Sequence, residues 1–434
     1  MGVAAAPAGL AARDAALDLL AAVLDTRTPL DEALAAHEEL ARLEPRDRGF
    51  ARMLAATALR RLGQIDALVA HCLARPLPPK GRPARHVLRL GVAQLLFLGT
   101  PAHAAVDSSV RLAVHRGLHA HKALINAVLR RLAAEGPALA AAQDADRLNT
   151  PAWLWQGWAA AYGEQAARAI AAAHRAEPPL DLAVRDGDAE AWAGRLGGRV
   201  LPGGALRLEA GGPVDALPGY AEGAWWVQDA AAALPARLLG DVAGATVLDL
   251  CAAPGGKSAQ LAAAGARVIA VDRAADRLAL LAENARRLGL AHRIEAVAAD
   301  VETYAPPAPA THVLLDAPCT GTGTIRRHPD IPHLKRAADV PRLAALQARL
   351  LAAAAARLAP GGTLVYSVCS LEPAEGPDVV AAVPGLVRAP LRAEELPGLA
   401  EAITPLGDLR THPGLWPEAG GMDGFYAARL RRPT

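Results

Sequence analysis

The sequence predicts a multidomain protein of three parts: an all-α domain over 1–136, a linker and small α/β adaptor over 137–222, and an α/β, Rossmann-like domain over 223–434. Three observations predict it. Apolar residues recur at helical spacing through the first 136 residues. A proline-bearing break is followed by a tryptophan-rich helix pattern and short strand-like runs. From residue 246, strand, glycine turn and helix patterns alternate. At 434 residues and 52% hydrophobic composition the chain can bury cores of this number and size.

The front domain rests on five segments: "ARDAALDLLAAVLD" (12–25), "RDRGFARMLAATALRRLGQIDALVAHCL" (46–73), "ARHVLRLGVAQLLFLG" (84–99), "AAVDSSVRLAVHRG" (104–117) and "HKALINAVLRRLAAEG" (121–136). Pro and Gly punctuate them. Residues 1–136 carry 18 Lys and Arg against 12 Asp and Glu, whereas the net charge of the whole chain is only +2. That surplus suits an RNA-binding face around Arg60, Arg61, Arg130 and Arg131, and an ordinary solvated surface equally well.

"PALAAAQDADRLNTP" (137–151) reads as a linker. Trp153, Trp155 and Trp158 follow on one helix, where packing outweighs base stacking. "PPLDLAVRDG" and "RVLPGGALRLE" read as short strands, and "WWVQDAAAALPARLL" as a helix leading into the last domain.

In that domain "ATVLDL", "ARVIAVDR", "RIEAVAAD", "THVLLDAPC" and "GGTLVYSVC" are strands separated by helices. Such alternation implies a parallel sheet with helices on both faces and ligands beyond the carboxyl ends of the strands. The turn "CAAPGGKS" (251–258) lacks GxGxxG and has Cys251 where a Walker A loop needs glycine. Gly255 and Gly256 let the backbone approach a small ligand beside a helix amino end that favours negative charge. Asp272 ends the second strand and suits a ribose diol, and Asp300 follows the third and suits an adenine amine. Together they describe S-adenosylmethionine.

Cys72, Cys251, Cys319 and Cys369 are the only cysteines. None forms a CxxC pair, so no zinc site or other metal centre is expected. No signal segment and no membrane-spanning apolar run is read, so a cytoplasmic protein with reduced thiols and no membrane partner is expected. Cys72 and Cys251 read as packing residues. Cys319 and Cys369 each follow a strand, where chemistry concentrates. Carbon 5 of a pyrimidine is a poor nucleophile. A thiolate adding to carbon 6 converts the ring to an enamine that attacks a methyl sulfonium, and a second group must then help to remove the carbon-5 proton.

The order "DRGF", "ALRR", "VLRLGVAQLLFLGTPAHAAVDSSVRLA" and "INAVLRR" resembles the NusB family of RNA-binding modules. "DLCAAPGGKS", "DAPCTGTGTIRRHPDI", "YSVCSLEPAE" and "GGMDGFYAARL" resemble the motifs of the RsmB/Nop2 (Sun) family of RNA 5-methylcytosine methyltransferases, over almost the whole chain. This resemblance implies a class I S-adenosylmethionine-dependent methyltransferase fold and, as partner, RNA, with 16S ribosomal RNA before or during small-subunit assembly as substrate of a monomer. It implies Cys369 as nucleophile and Cys319 as the second catalytic thiol. The cofactor would be held by Cys251, Ala252, Ala253, Pro254, Gly255, Gly256, Lys257, Asp272, Asp300 and Asp316, with Asp316 also reaching the cytosine amine and ring nitrogen. Val368 replaces the family's threonine, and Glu375 is followed by Gly376 where the family has asparagine. A non-catalytic RNA platform is the rival reading, against which the two thiols weigh; amine methylation would need an Asn/Asp-Pro-Pro-aromatic motif where this chain has "DAPC".

Overall fold

A computed structural model describes residues 9–209 and 212–434. Its contacts divide the chain into two units: Met1–Ala176 with Arg327–Arg336, and Glu177–Arg326 with Ala337–Thr434.

The first unit is helical. Its long helices are Ala11–Leu24, Pro45–Arg60, Leu62–Cys72, Arg82–Leu96, Ala102–His115 and Lys122–Ala141. Leu19, Leu20, Leu54, Ile65, Val87, Leu129 and Leu132 form one buried core. The helices approach closely at Gly91, where a Cβ would lie 2.7 Å from Leu129 Cδ1 and 2.9 Å from Ser109 Oγ. Arg61 breaks the segment read as one helix over 46–73.

The sequence reading differs from the structure at residue 137. The helix runs through Pro137 to Ala141, so the expected linker is helical for its first residues. Proline removes one helix hydrogen bond, but Leu139 and Ala140 pack against the core and carry the helix past it. The tryptophan helix, Ala152–Tyr162, and its neighbour Glu164–His174 also belong to this unit and not to the adaptor. Trp158 is buried edge-on against the His174 ring. Trp155 is buried with the Arg147 and Arg168 guanidiniums over its ring. Both are packing residues.

Arg327–Arg336 comes from far along the chain to complete this unit. Asp330 Oδ2 accepts the Leu30 N–H at 3.0 Å, at the start of the helix Leu30–Ala36. His333 Nε2 lies 3.0 Å from the Leu59 carbonyl. Burial lowers the pKa of His333 and outweighs the opposing effect of the Leu59 contact.

The second unit holds two sheets. Strands β1 (Leu180–Val184), β2 (Arg199–Val200), β3 (Leu206–Leu208) and β4 (Trp225–Val227) form a small antiparallel sheet in the order β2-β3-β1-β4. The expected strands are there. The helix expected over "WWVQDAAAALPARLL" is instead strand β4 followed by a single helical turn, Leu234–Arg237. Two tryptophans and a valine suit a pleated surface, and they pair with β1, Trp226 opposite Ala183. Beneath them Arg207 makes a fully buried pair with Asp181 at 2.6 Å.

The larger sheet contains β5 (Thr246–Leu250), β6 (Arg267–Asp272), β7 (Ile294–Ala298), β8 (Ala310–Asp316), β9 (Leu358–Val368), β10 (Val387–Arg388), β11 (Leu409–Arg410) and β12 (Tyr426–Arg431). The order is β10-β12-β9-β8-β5-β6-β7, with β11 on β12. The five strands read from the sequence are the parallel ones, and β12 runs antiparallel to β9. The chain leaves β5 toward β6 and β7, then returns to its other side for β8 and β9. In open α/β sheets ligands bind at such a reversal, and the expected site residues lie at or follow the carboxyl ends of strands β5 to β9.

Candidate active site

Loop 251–257 leaves β5 with Cys251 in a left-handed conformation and a cis peptide between Ala253 and Pro254. Gly255 is also left-handed, and a Cβ there would stand 2.5 Å from Leu281 Cγ, so only glycine fits. At Gly256 a Cβ would stand in ordinary contact with Gln228, 3.8 Å away, and Trp226, 4.0 Å away. Helix Gly256–Ala263 starts here. Burial, then Asp272, pushes the Cys251 thiol up to about 12, so it stays protonated and inert.

Asp272, buried at the end of β6, fixes this loop. Its Oδ2 accepts the Ala253 N–H at 3.1 Å and its Oδ1 accepts the Ala274 N–H at 3.0 Å. Each oxygen keeps a second lone pair for a ligand. Asp300 Oδ1 accepts the Glu302 N–H at 2.8 Å in an exposed turn after β7. Asp249, unsuspected in the sequence, lies under the loop with 1% exposure and accepts from Ser258 Oγ at 2.5 Å. Burial raises its pKa to about 7.

At the end of β8, Asp316 Oδ2 lies 2.6 Å from Lys257 Nζ, and Ser367 Oγ donates to Oδ1 at 2.9 Å. Lys257 also sits 5.0 Å above the Phe425 ring centroid. Strands β8 and β9 are parallel neighbours with Asp316 opposite Ser367, so Cys319 and Cys369 emerge side by side. Their sulfurs are 3.4 Å apart. The hydrogen bond to Cys369, with burial, holds the Cys319 thiol well above the ordinary thiol range. Both cysteines are half-buried as residues.

The loops behind the thiols are laced together. Gly323 N–H donates to the Cys369 carbonyl at 3.0 Å, and Leu371 N–H to Thr322 Oγ1 at 3.0 Å. Gly424 closes on Gly323 so tightly that a Cβ at Gly323 would stand 1.9 Å from the Gly424 carbonyl oxygen. Val368 is buried in the apolar core with Val379 and Val380. A Cβ at Gly376 would lie 2.9 Å from Arg410 Nη2 and from the Tyr426 ring, which accounts for glycine there. Among the described residues no cluster of three His, Cys, Asp or Glu could hold a metal.

Residues 236–431 match the 16S rRNA methyltransferase RsmB/F family and residues 10–134 match the NusB family. The ribosomal RNA small subunit methyltransferase B of Pseudomonas putida is 39% identical, over 96% of this chain and 98% of its own. The crystal structure of PH0851 superposes with a TM-score of 0.73 at 23% identity, covering 96% of this chain and 98% of that one. A methyltransferase homologue from Pyrococcus horikoshii gives a TM-score of 0.53 at 25% identity, covering 64% and 93%.

Proposed function

The chain belongs to the ribosomal RNA small subunit methyltransferase B family, and on that premise we propose that it methylates carbon 5 of a cytosine in 16S ribosomal RNA through a covalent adduct on Cys369. The observation that carries the reading is the 3.4 Å separation of the Cys319 and Cys369 sulfurs beside the glycine loop.

The enzyme is an S-adenosylmethionine-dependent RNA methyltransferase, and the cofactor supplies an electrophilic methyl group. Residues 251–257 and Asp272 would hold it: the glycine turn brings backbone to the start of the helix Gly256–Ala263, and Asp272 has lone pairs to spare. We assign Asp300 the adenine edge. Asp316, oriented by Lys257 and Ser367, would accept from the cytosine amine.

Cys369 forms the bond to carbon 6, which makes carbon 5 nucleophilic. After methyl transfer the carbon-5 proton must leave before the carbon–sulfur bond breaks. Cys319 is the side chain beside that sulfur. The hydrogen bond to Cys369 that raises its pKa is lost once Cys369 is bonded to carbon 6, so Cys319 can then act as a thiolate, taking the carbon-5 proton as Cys369 leaves as a thiolate.

The helical unit would bind RNA. Among the described residues no helix is long and apolar enough to cross a membrane, and we place the enzyme in the cytoplasm as a monomer.

Cys369→Ala should abolish methylation and leave no protein–RNA crosslink. Cys319→Ala should accumulate a covalent RNA complex that survives denaturing electrophoresis and disappears in the double mutant. Exchanged phenotypes would reverse the two assignments, and no complex in any variant would remove the adduct from the mechanism.

A further inference from the structure

Glu375 is fully buried, although the loops around it border the active site. A carboxylate in such a place is costly unless donors surround it. Four do. Its Oε1 accepts the Thr320 N–H at 2.9 Å and Gln347 Nε2 at 3.1 Å. Its Oε2 accepts Ser370 Oγ at 2.5 Å and the Thr320 hydroxyl.

The identity of these donors is what matters. Thr320 directly follows Cys319, and Ser370 directly follows Cys369. One carboxylate therefore grips the residue beside each thiol, and Gln347 ties the same group to the Pro318 carbonyl at 2.9 Å, just before Cys319. Thr320 Oγ1 and Ser370 Oγ also lie 3.2 Å apart. The backbone of Glu375 is held too, its carbonyl accepting the Tyr366 hydroxyl at 2.6 Å.

We propose that Glu375 is a positioning residue for methyl transfer, a buried latch between Thr320 and Ser370 that holds the two thiols at their reacting separation. It touches neither substrate nor cofactor. The inference rests on the thiol reading above. The charge of the latch has a second consequence. Glu375 adds to the causes that raise the Cys319 pKa, so the same group that fixes the spacing also favours the protonated second thiol.

Glu375→Gln in the full-length protein keeps the side-chain volume, removes the charge and turns an amide donor toward donors. Turnover should fall about 100-fold, the scale of loss that a small misplacement of reacting groups brings. Affinity for S-adenosylmethionine, measured by calorimetry, should stay near wild type. The pH midpoint for alkylation of Cys319 by iodoacetamide, followed on its peptide by mass spectrometry, should move down. A merely structural role would lower the melting temperature without moving that midpoint.

Thr320→Val and Ser370→Ala each remove one strut and leave Glu375 in place, so they serve if Glu375→Gln fails to fold. Each should lower turnover at unchanged cofactor affinity. Wild-type turnover in folded Glu375→Gln, an unmoved Cys319 midpoint, or wild-type turnover in both strut variants overturns the proposal. A missing covalent complex in Cys319→Ala would sink the thiol mechanism itself. A normal complex there, with wild-type turnover in Glu375→Gln, would sink the latch alone.

Discussion

Lys257 Nζ stands 2.6 Å from Asp316 Oδ2, and this contact joins the cofactor loop after β5 to the end of β8. Ser367 holds the other Asp316 oxygen, so the carboxylate has one orientation. A cytosine amine would meet an acceptor already in place, which lowers the cost of ordering it. Asp316→Asn should reduce turnover by about 10²-fold, the scale of loss that misplacing a reacting group brings. Lys257→Met should also lower it. The two should be non-additive, with a coupling of roughly 0.5 to 3 kcal/mol in a double-mutant cycle. Additive losses would mean that the pair does not act as a unit.

Asp272, at the end of β6, holds the loop and on the proposed reading would also hold the cofactor. It accepts from Ala253 and Ala274 backbone N–H groups, which shapes the loop, and it keeps lone pairs for a ribose diol. Asp272→Ala should weaken S-adenosylmethionine binding by about 1 to 3 kcal/mol and lower the melting temperature as well. Calorimetry showing unchanged affinity would remove Asp272 from the cofactor site.

The parallel strands and their order in the chain were legible because each β-branched run ends in a polar residue and a turn, a local pattern. The small spacing between Cys319 and Cys369 was not. It follows from β8 and β9 lying side by side with Asp316 opposite Ser367, and sequence does not report which strands become neighbours. Glu375 was invisible as a latch for the same reason, since its donors Thr320 and Gln347 lie 55 and 28 residues away. Trp225 and Trp226 were misread because the alanines after them mimic a helix, whereas pairing with β1 decides their conformation. Residues 327–336 gave no sign that they would complete the helical unit, because Asp330 meets Leu30 across 300 residues.

Asp249 leads to a pH-dependent outcome. Burial raises its pKa from the ordinary 3.8 to about 7 in the folded protein, and its Oδ1 has no hydrogen-bond partner. Between these values the folded state holds a proton that the unfolded chain has lost, so stability from this group is greatest below about pH 4, falls as pH rises, and levels off above about 7. Asp249→Asn has no such proton. Between pH 5 and pH 8 the wild type should lose on the order of 3 kcal/mol more than the variant, read from denaturant unfolding at the two pH values. Parallel curves would show that Asp249 is ionised throughout.

The basic surplus of the front domain now has a more definite location. The arginines first singled out are engaged within the helical unit: Arg60 donates to the His174 carbonyl at 3.3 Å, Arg130 to Asn126 at 3.1 Å, and Arg131 to Glu135 at 3.0 Å. Arg46, Arg48 and Arg52 instead project as exposed side chains from the first turns of the helix Pro45–Arg60. Guanidiniums in that setting can bind phosphates at little desolvation cost, and each phosphate neutralised releases counterions. In the full-length protein, changing all three to Gln should weaken RNA binding at low salt. The slope of log affinity against log salt should become shallower by about 2 to 3, because each contact contributes about 0.7 to 0.9. Cofactor affinity should not change. Filter binding across a salt series measures both slopes, and equal slopes would show that RNA does not touch this helix, leaving the three arginines as an ordinary solvated face.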